Sequence, residues 1–215
     1  MASKLLDMAQ QMDLNLPFVK ICGVRGGADV ETALGYGANA VGVMLTKSPR
    51  QITTAQAREV TKQVGGRALV VGVFHGESPA EIKEAVEASE VSGIQLHGNH
   101  PRSDFSDLRE LNRLLIRAVS ADAPDLKVGA YGEDMLIVDA PKPGSGETWD
   151  YASMREKLSG HWILAGGLDP YNVEIALEES DAWGVDVSSG VEAQRGIKDP
   201  NLIAEFLAAA RVATA

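Results

Sequence analysis

The hydrophobic positions of the chain fall into short apolar runs, each followed by a break and then by a segment with helical spacing. The runs cover residues 18–23, 40–45, 68–74, 93–98, 114–120, 134–140, 162–167 and 184–190. Helix-like segments between them include residues 53–64, 78–89 and 171–180. Ser78-Pro79 is typical of an N-cap followed by a proline in the first turn. Strands that alternate with helices, without hairpin signals, predict a parallel sheet.

Eight such units predict a single α/β domain, a closed (β/α)8 TIM barrel that spans residues 17–215. An open, doubly wound sheet is the competing fold. However, no run is followed by the G-x-G-x-x-G turn with a later acidic residue that dinucleotide-binding sheets use. Residues 1–16 have weakly amphipathic spacing, and they are predicted to be a short N-terminal extension, either a packed helix or a frayed leader.

The last two runs end at small residues that are typical of a phosphate site. The first of them stops at Gly166-Gly167 and the second at Ser188-Ser189-Gly190. A helix that begins behind such a turn directs unpaired N–H groups and a partial positive charge towards a ligand. The loops after the last two strands of a barrel commonly bind phosphate, although two ordinary strand-to-helix loops are the alternative.

Polar residues near the ends of the runs indicate which face of each strand lines the barrel mouth. Side chains alternate in direction along a strand, and ligands bind where barrel strands end. Branched apolar residues suit the layer between strands and helices. The polar set is therefore predicted to point into the mouth: Cys22, Gln95, His97, Arg117, Asp139 and Asp186.

Two of these residues are candidates for proton transfer. Cys22 could act as a nucleophile or a proton acceptor, but only as the thiolate, and a buried structural cysteine is the alternative. Asp139 could keep its proton through partial burial and act as a general acid, or it could simply cap the Pro/Gly-rich loop 140–150. A base and an acid on strands across the mouth would hold a substrate between them.

Arg50 and His97 are candidates for substrate contacts. Arg50 follows the second run and could present its planar donors to a carboxylate, or it could be a solvated loop residue. His97 is a third acid–base candidate, but a histidine held by hydrogen bonds is the commoner case. No cluster of His, Cys, Asp and Glu has metal-ligand spacing, so no metal is predicted.

Composition narrows the classes of partner. The chain of 215 residues is 45% hydrophobic and carries a formal net charge of −10. That charge argues against nucleic acid, which is bound through Lys and Arg, but it permits a small anionic ligand. One cysteine excludes an internal disulfide, and no apolar run is long enough to span a membrane. A soluble cytoplasmic protein, monomer or homodimer, is expected.

Seven motifs together resemble the phosphoribosylanthranilate isomerase family of tryptophan biosynthesis. They are KICGVRGGAD (20–29), SPRQIT (48–53), VGVF (71–74), IQLHGN (94–99), VDAPKPGSGETWDY (138–151), LAGGLDPYNV (164–173) and GVDVSSGVEAQRGIKD (184–199). The resemblance runs in order from about residue 18 to the C-terminus. It implies a (β/α)8 barrel without a cofactor, and an isomerase that converts N-(5-phosphoribosyl)anthranilate to 1-(2-carboxyphenylamino)-1-deoxyribulose 5-phosphate by an Amadori rearrangement.

The resemblance also implies a role for each matching residue. Cys22 would be the general base and Asp139 the general acid, while Arg50 would meet the anthranilate carboxylate. Asp186 would face the ribose, with Gln95 and His97 also in contact with the substrate. The phosphate would be held by Gly166, Gly167, Ser188, Ser189 and Gly190.

Some positions depart from the family pattern, and other functions compete. The second strand reads VGVML where the family often has aromatic residues, Arg117 stands where Lys is common, and Arg195 replaces a usual Pro or Gly. These changes leave details of the aryl pocket open. The alternatives are the aminoaldose–aminoketose isomerase of histidine biosynthesis or a dual-substrate version, a flavin-binding barrel, and a non-catalytic phosphosugar-binding protein.

Overall fold

Eight parallel strands close into a barrel in the computed structural model, which describes residues 16–141 and 149–212. The strands follow chain order around the barrel, and β1 pairs with β8 to close it. Their bounds are β1 Phe18–Cys22, β2 Ala40–Met44, β3 Leu69–Phe74, β4 Gly93–His97, β5 Leu114–Ser120, β6 Met135–Asp139, β7 Trp162–Leu164 and β8 Gly184–Val187. The predicted (β/α)8 barrel is confirmed, and each predicted strand is present within a few residues of its run.

Helices pack around the outside of the strands. They are α1 Ala28–Gly35, α2 Thr54–Val64, α3 Pro79–Ser89, α4 Arg102–Leu108, α5 Val173–Ser180 and α6 Pro200–Val212. The predicted cap of α3 is confirmed, because Ser78 and Glu81 form a reciprocal capping box with Pro79 in the first turn. Thr53 and Gln56 begin α2 in the same way.

Alternation along the strands builds two apolar layers. Residues such as Val19 and Ile21 point outwards and pack against the helices. Residues such as Phe18, Ile116 and Ile137 fill the barrel interior. Because both faces of a barrel strand are buried, a strand such as β3 is apolar throughout its length.

The connections depart from a regular strand–helix repeat after three strands. Residues 121–134, after β5, form turns, and the described part of the connection after β6 contains one short 3₁₀ turn, Ala152–Met154. After β8 comes another 3₁₀ turn, Ser189–Val191, and then the antiparallel pair β9 Glu192–Gln194 and β10 Ile197–Lys198. The expectation that a helix follows the second glycine turn directly is therefore wrong, since this hairpin separates the turn from α6.

Two predicted features concern residues outside those described. The extension 1–16 has only its last residue in the described part, and the loop 140–150 is described only at 140–141 and 149–150. The proposed boundary at residue 17 stays a prediction. In the described segments of the chain, no helix is both long and apolar enough to cross a bilayer.

Candidate active site

A cleft of about 670 Å³ opens at the carboxyl end of the barrel strands. It is bordered by ten of the eleven residues predicted to form the site: Cys22, Arg50, Gln95, His97, Asp139, Gly166, Gly167, Asp186, Ser188 and Ser189. They come from six strands and the loops that follow them, so the closed barrel brings distant parts of the chain to one cavity. Gly190 does not border this cleft, but it lies where the two glycine-containing turns meet, as described below.

Cys22 is the last residue of β1 and points into the barrel, with 6% of its surface exposed. Burial raises the pKa of its thiol, and the negative charge of Asp186 adds to that effect, although the charge of Lys20 opposes it. The next residue, Gly23, has φ +81°, and a Cβ there would lie 2.6 Å from Arg50 Cδ. Glycine at this position therefore lets Arg50 lie alongside the thiol.

Lys20 lies two residues before Cys22 on the same inward face and is fully buried. Its ammonium donates a hydrogen bond to Asp186 Oδ1 at 2.9 Å. Burial alone would lower the pKa of Lys20, but the charges of Asp186 and Cys22 outweigh that cost and raise it. Lys20 is thus a charged cation in the barrel interior.

Asp139 ends β6 and borders the same cleft. Burial raises the pKa of this carboxyl to about 6, against the effect of the Ala140 N–H, which donates to Oδ1 at 2.8 Å. Near neutral pH a useful fraction of Asp139 is protonated and able to donate. The partial burial that the sequence suggested is present.

Arg50 is held by an ion pair that sequence reasoning did not anticipate. Its Nε and Nη2 donate to the two carboxylate oxygens of Glu192, at 2.5 and 2.9 Å. Lys198, which is almost fully buried, donates to Glu192 Oε1 at 3.1 Å. Burial would raise the pKa of Glu192, but these cations and the Gly196 N–H lower it to about 2. Among the described residues, no acceptor is bonded to Arg50 Nη1, so that edge of the guanidinium is available to a ligand carboxylate.

The two glycine-containing turns lie against each other. Gly166 has φ +86°, and a Cβ there would lie 2.4 Å from Asp139 Oδ1. A Cβ on Gly190 would lie 1.9 Å from the Leu168 carbonyl oxygen, so only glycine allows the turn after β8 to reach the turn after β7. The Lys198 ammonium donates to the Ser188 carbonyl at 2.7 Å and brings positive charge to this end of the cleft.

Gln95 and His97 face the cleft from β4. Gln95 is 3% exposed, and its Oε1 has no hydrogen-bond partner among the described residues. A buried acceptor of that kind favours a ligand that donates to it. Burial, followed by the nearby His75, lowers the pKa of His97, so its imidazole is neutral near pH 7.

The prediction that Arg117 points into the mouth is wrong. On β5 the inward residues are Leu114, Ile116 and Ala118, which leaves Arg117 on the outer face. There its Nε donates to Glu133 at 2.8 Å, and its guanidinium lies over the ring of Tyr131 at 4.6 Å. Arg117 can be buried on this outer face because it is paired with Glu133, and it does not border the cleft.

The site also contains charged residues that sequence reasoning missed, namely Lys20, Glu192 and Lys198. The position of Lys20 could have been predicted, since it shares a strand face with Cys22. Glu192 and Lys198 lie on a hairpin whose sequence has no apolar pattern. Within residues 16–141 and 149–212, no group of three His, Cys, Asp or Glu side chains could hold a metal ion.

Comparisons with known proteins identify the family and the fold. Residues 19–209 match the family described as N-(5'phosphoribosyl)anthranilate (PRA) isomerase. The isomerase of that name from Rhodopseudomonas palustris is 39% identical over 207 residues, which cover 90% of this chain and 95% of that protein. The crystal structure of TrpF from Jonesia denitrificans superposes with a TM-score of 0.84 at 38% identity, over 90% of this chain and 96% of the other.

One of the similar structures was solved with a ligand bound. It is a phosphoribosyl anthranilate isomerase in complex with reduced 1-(o-carboxyphenylamino)-1-deoxyribulose 5-phosphate. It is 30% identical to this chain, with a TM-score of 0.79, and the match covers 91% of this chain and 98% of that one. The family match over most of the chain and the shared barrel lead to one conclusion: this chain belongs to the N-(5'-phosphoribosyl)anthranilate isomerase family of isomerases.

Proposed function

We propose that the protein converts N-(5-phosphoribosyl)anthranilate to 1-(2-carboxyphenylamino)-1-deoxyribulose 5-phosphate in tryptophan biosynthesis. The observation that carries the proposal is that Cys22 and Asp139 border one cleft together with the two glycine-containing turns. A thiol and a raised-pKa carboxyl group are what an aldose–ketose rearrangement needs, and the turns supply an anchor for a phosphorylated sugar.

Asp139 starts the reaction as the general acid. It donates its proton to the ribose ring oxygen as the C1–O bond breaks, and the nitrogen lone pair forms the C=N bond of a Schiff base. The raised pKa of about 6 supports this role, because a carboxyl of ordinary pKa would hold almost no proton near neutral pH.

Cys22 then acts as the general base. Its thiolate removes the proton from C2, the C2–H electrons form the C1–C2 double bond while the C=N π electrons move to the nitrogen, and the resulting enolamine tautomerises to the ketose. Each positioned proton transfer of this kind contributes about 10²–10⁴-fold to the rate. We therefore expect Cys22→Ala and Asp139→Asn each to lose kcat by about that factor while the substrate still binds.

The assay follows the loss of fluorescence as enzymatically generated phosphoribosylanthranilate is consumed. Consumption by the purified protein, abolished by Cys22→Ala, supports the proposal. A Cys22→Ala variant with near-normal kcat contradicts the role of the thiol. The same protein is offered the aminoaldose substrate of histidine biosynthesis, and faster turnover of that compound would contradict the assigned substrate.

Arg50 and the two turns supply orientation rather than chemistry. The free edge of the guanidinium would receive the anthranilate carboxylate, and the turn N–H groups with Ser188 and Ser189 would receive the phosphate. Asp186 and Gln95 would contact the ribose portion between these anchors, with His97 close by.

We expect Arg50→Ala to raise KM about tenfold or more with a smaller change in kcat, because a charge-assisted hydrogen bond contributes about 1.5–3 kcal/mol. The fold should survive, since Glu192 keeps Lys198 as its partner. The matched control is Arg58→Ala, which breaks an exposed ion pair with Glu90 and should leave KM unchanged. An unchanged KM in Arg50→Ala would contradict the carboxylate contact.

A further inference from the structure

A buried ion pair lies directly beneath the thiol of Cys22. Lys20 and Asp186 are neighbours in the β1–β8 ladder, and their side chains meet inside the barrel at 2.9 Å. Lys20 has no exposed surface, and 10% of the Asp186 side chain is exposed. A pair this deep is expensive to desolvate, and apolar side chains would fill the interior at lower cost. Its presence next to the cleft therefore suggests a role in the chemistry.

The neighbouring strand makes room for the cation and the thiol to approach each other. A Cβ on Gly42 would lie 2.8 Å from Cys22 Sγ and 3.2 Å from Lys20 Cε. Both side chains therefore lie over the same Cα of β2. The ammonium of Lys20 donates a hydrogen bond to Asp186, and its charge acts on the neighbouring thiol.

We propose that Lys20 is a positioning residue whose charge favours the thiolate of Cys22, and that Asp186, which accepts a hydrogen bond from the same ammonium, competes with the sulfur for that charge. The inference deepens the proposed function, since it rests on Cys22 as the base. A thiol buried without such a partner would keep its proton. Lys20 provides the charge that makes proton abstraction by the sulfur possible at this depth.

Three other charged residues act on the same thiol, but the two cations among them are paired with Glu192. Lys198, on β10, and Arg50, after β2, both act electrostatically on Cys22. Both are bonded to Glu192, which offsets their charge. Asp186, on β8, opposes thiolate formation. Among these cations Lys20 lowers the pKa of Cys22 most, so its removal should have the largest effect.

The test is a direct titration of the thiolate by its ultraviolet absorbance. Cys22 is the single cysteine of the chain, so the difference spectrum against Cys22→Ser isolates its signal. Loss of a charge in contact shifts a pKa by about one to three units. We expect Lys20→Met to raise the pKa of Cys22 and to lower the thiolate fraction at a fixed pH by tenfold or more.

Two further variants separate charge from structure. Asp186→Asn should shift the pKa of Cys22 in the opposite direction, because the ammonium is then shared with no carboxylate. Lys20→Arg keeps the charge and should titrate close to the native protein. The matched control is Arg117→Met, which breaks the buried pair with Glu133 on the outer face of β5 and should leave the thiolate titration unchanged.

The inference is overturned if Lys20→Met titrates like the native protein, or if Lys20→Met and Asp186→Asn shift the pKa of Cys22 in the same direction. Should Lys20→Met fail to fold, Asp186→Asn still decides, because an unchanged or raised pKa of Cys22 in that variant would overturn the inference. The titration requires no turnover, so its outcome is independent of the isomerase assay. An unshifted titration with intact isomerase activity would reject Lys20 and leave the proposed function standing.

Discussion

At the scale of single residues, the two proposed catalytic groups are shifted in the same direction for the same reason. Burial raises the pKa of both Asp139 and Cys22. For Asp139 the shift favours the form that the reaction uses, the protonated acid. For Cys22 it favours the thiol, which the reaction cannot use. The active form of the protein, with Asp139 protonated and Cys22 as the thiolate, is thus a minority at every pH. The cations around Cys22 determine how large this fraction is.

We expect the pH profile of kcat/KM to reflect this reversed protonation. Below about 6, the pKa of Asp139, the thiolate fraction rises with pH while the acid stays protonated, so kcat/KM increases. Above that value each gain in thiolate is cancelled by a loss of protonated Asp139, and the profile becomes flat up to the raised pKa of Cys22. Steady-state assays across pH in constant ionic strength test this. A profile that falls steeply just above the Asp139 pKa would contradict it.

Asp139→Asn should stabilise the fold while it removes activity. The pKa of Asp139 rises from 3.8 to about 6 on folding, so the folded state binds more protons between those values. Its contribution to stability is therefore present below the lower value and lost as pH rises through the higher one. Replacing the carboxylate should raise the free energy of unfolding near neutral pH by at most about 3 kcal/mol. Urea unfolding at neutral and acidic pH measures the gain, which should vanish at the acidic end.

At the scale of elements, the phosphate end of the cleft depends on contact between two turns. The turn after β7 and the turn after β8 meet where Gly190 lies against the Leu168 carbonyl. The hairpin β9–β10 then carries Lys198 back to the Ser188 carbonyl and Glu192 to Arg50. This hairpin therefore links the phosphate turns to the proposed carboxylate contact.

Gly190→Ala should weaken binding at the phosphate end. The added methyl group would lie 1.9 Å from the Leu168 oxygen, so the two turns must separate. We expect KM to rise at least about tenfold, which corresponds to the loss of roughly one charge-assisted hydrogen bond. We also expect inorganic phosphate to become a weaker competitive inhibitor. Gly35→Ala is the control, because a Cβ there meets nothing within 4 Å at the end of α1. Unchanged inhibition by phosphate in Gly190→Ala would contradict the role of this contact.

At the scale of the whole molecule, much of the arrangement could be predicted because a closed parallel barrel obeys a simple rule. Alternate residues point inwards and strand ends meet, so Cys22, Asp139 and Asp186 could be assigned to one mouth from spacing alone. The prediction for Arg117 was wrong because both faces of β5 are buried. A paired arginine on the outer face looks the same in the sequence as one that points into the cleft. The ion pairs of Lys20 and Glu192 depend on partners about 140 to 170 residues away, and no local pattern records them.

Closure of the barrel should be required for a cooperative fold. A chain that ends at Asp181 lacks β8, so β1 and β7 lose their partner and Lys20 loses its carboxylate. An unpaired buried charge costs about 3–5 kcal/mol, which is a large share of the stability of a domain. We expect this truncated chain to show no sharp urea transition by circular dichroism, in contrast to the full chain. A sharp transition with native-like ellipticity would contradict the expectation.

The pairing of the first strand with the last has a consequence for synthesis on the ribosome. Lys20 emerges from the ribosome well before its carboxylate partner Asp186, which follows 166 residues later. Until that partner arrives, the amino-terminal strand must stay open to water, where its ammonium is hydrated. The site that surrounds Cys22 is therefore assembled only after β8 has been made, and a chain that stops before β8 lacks it.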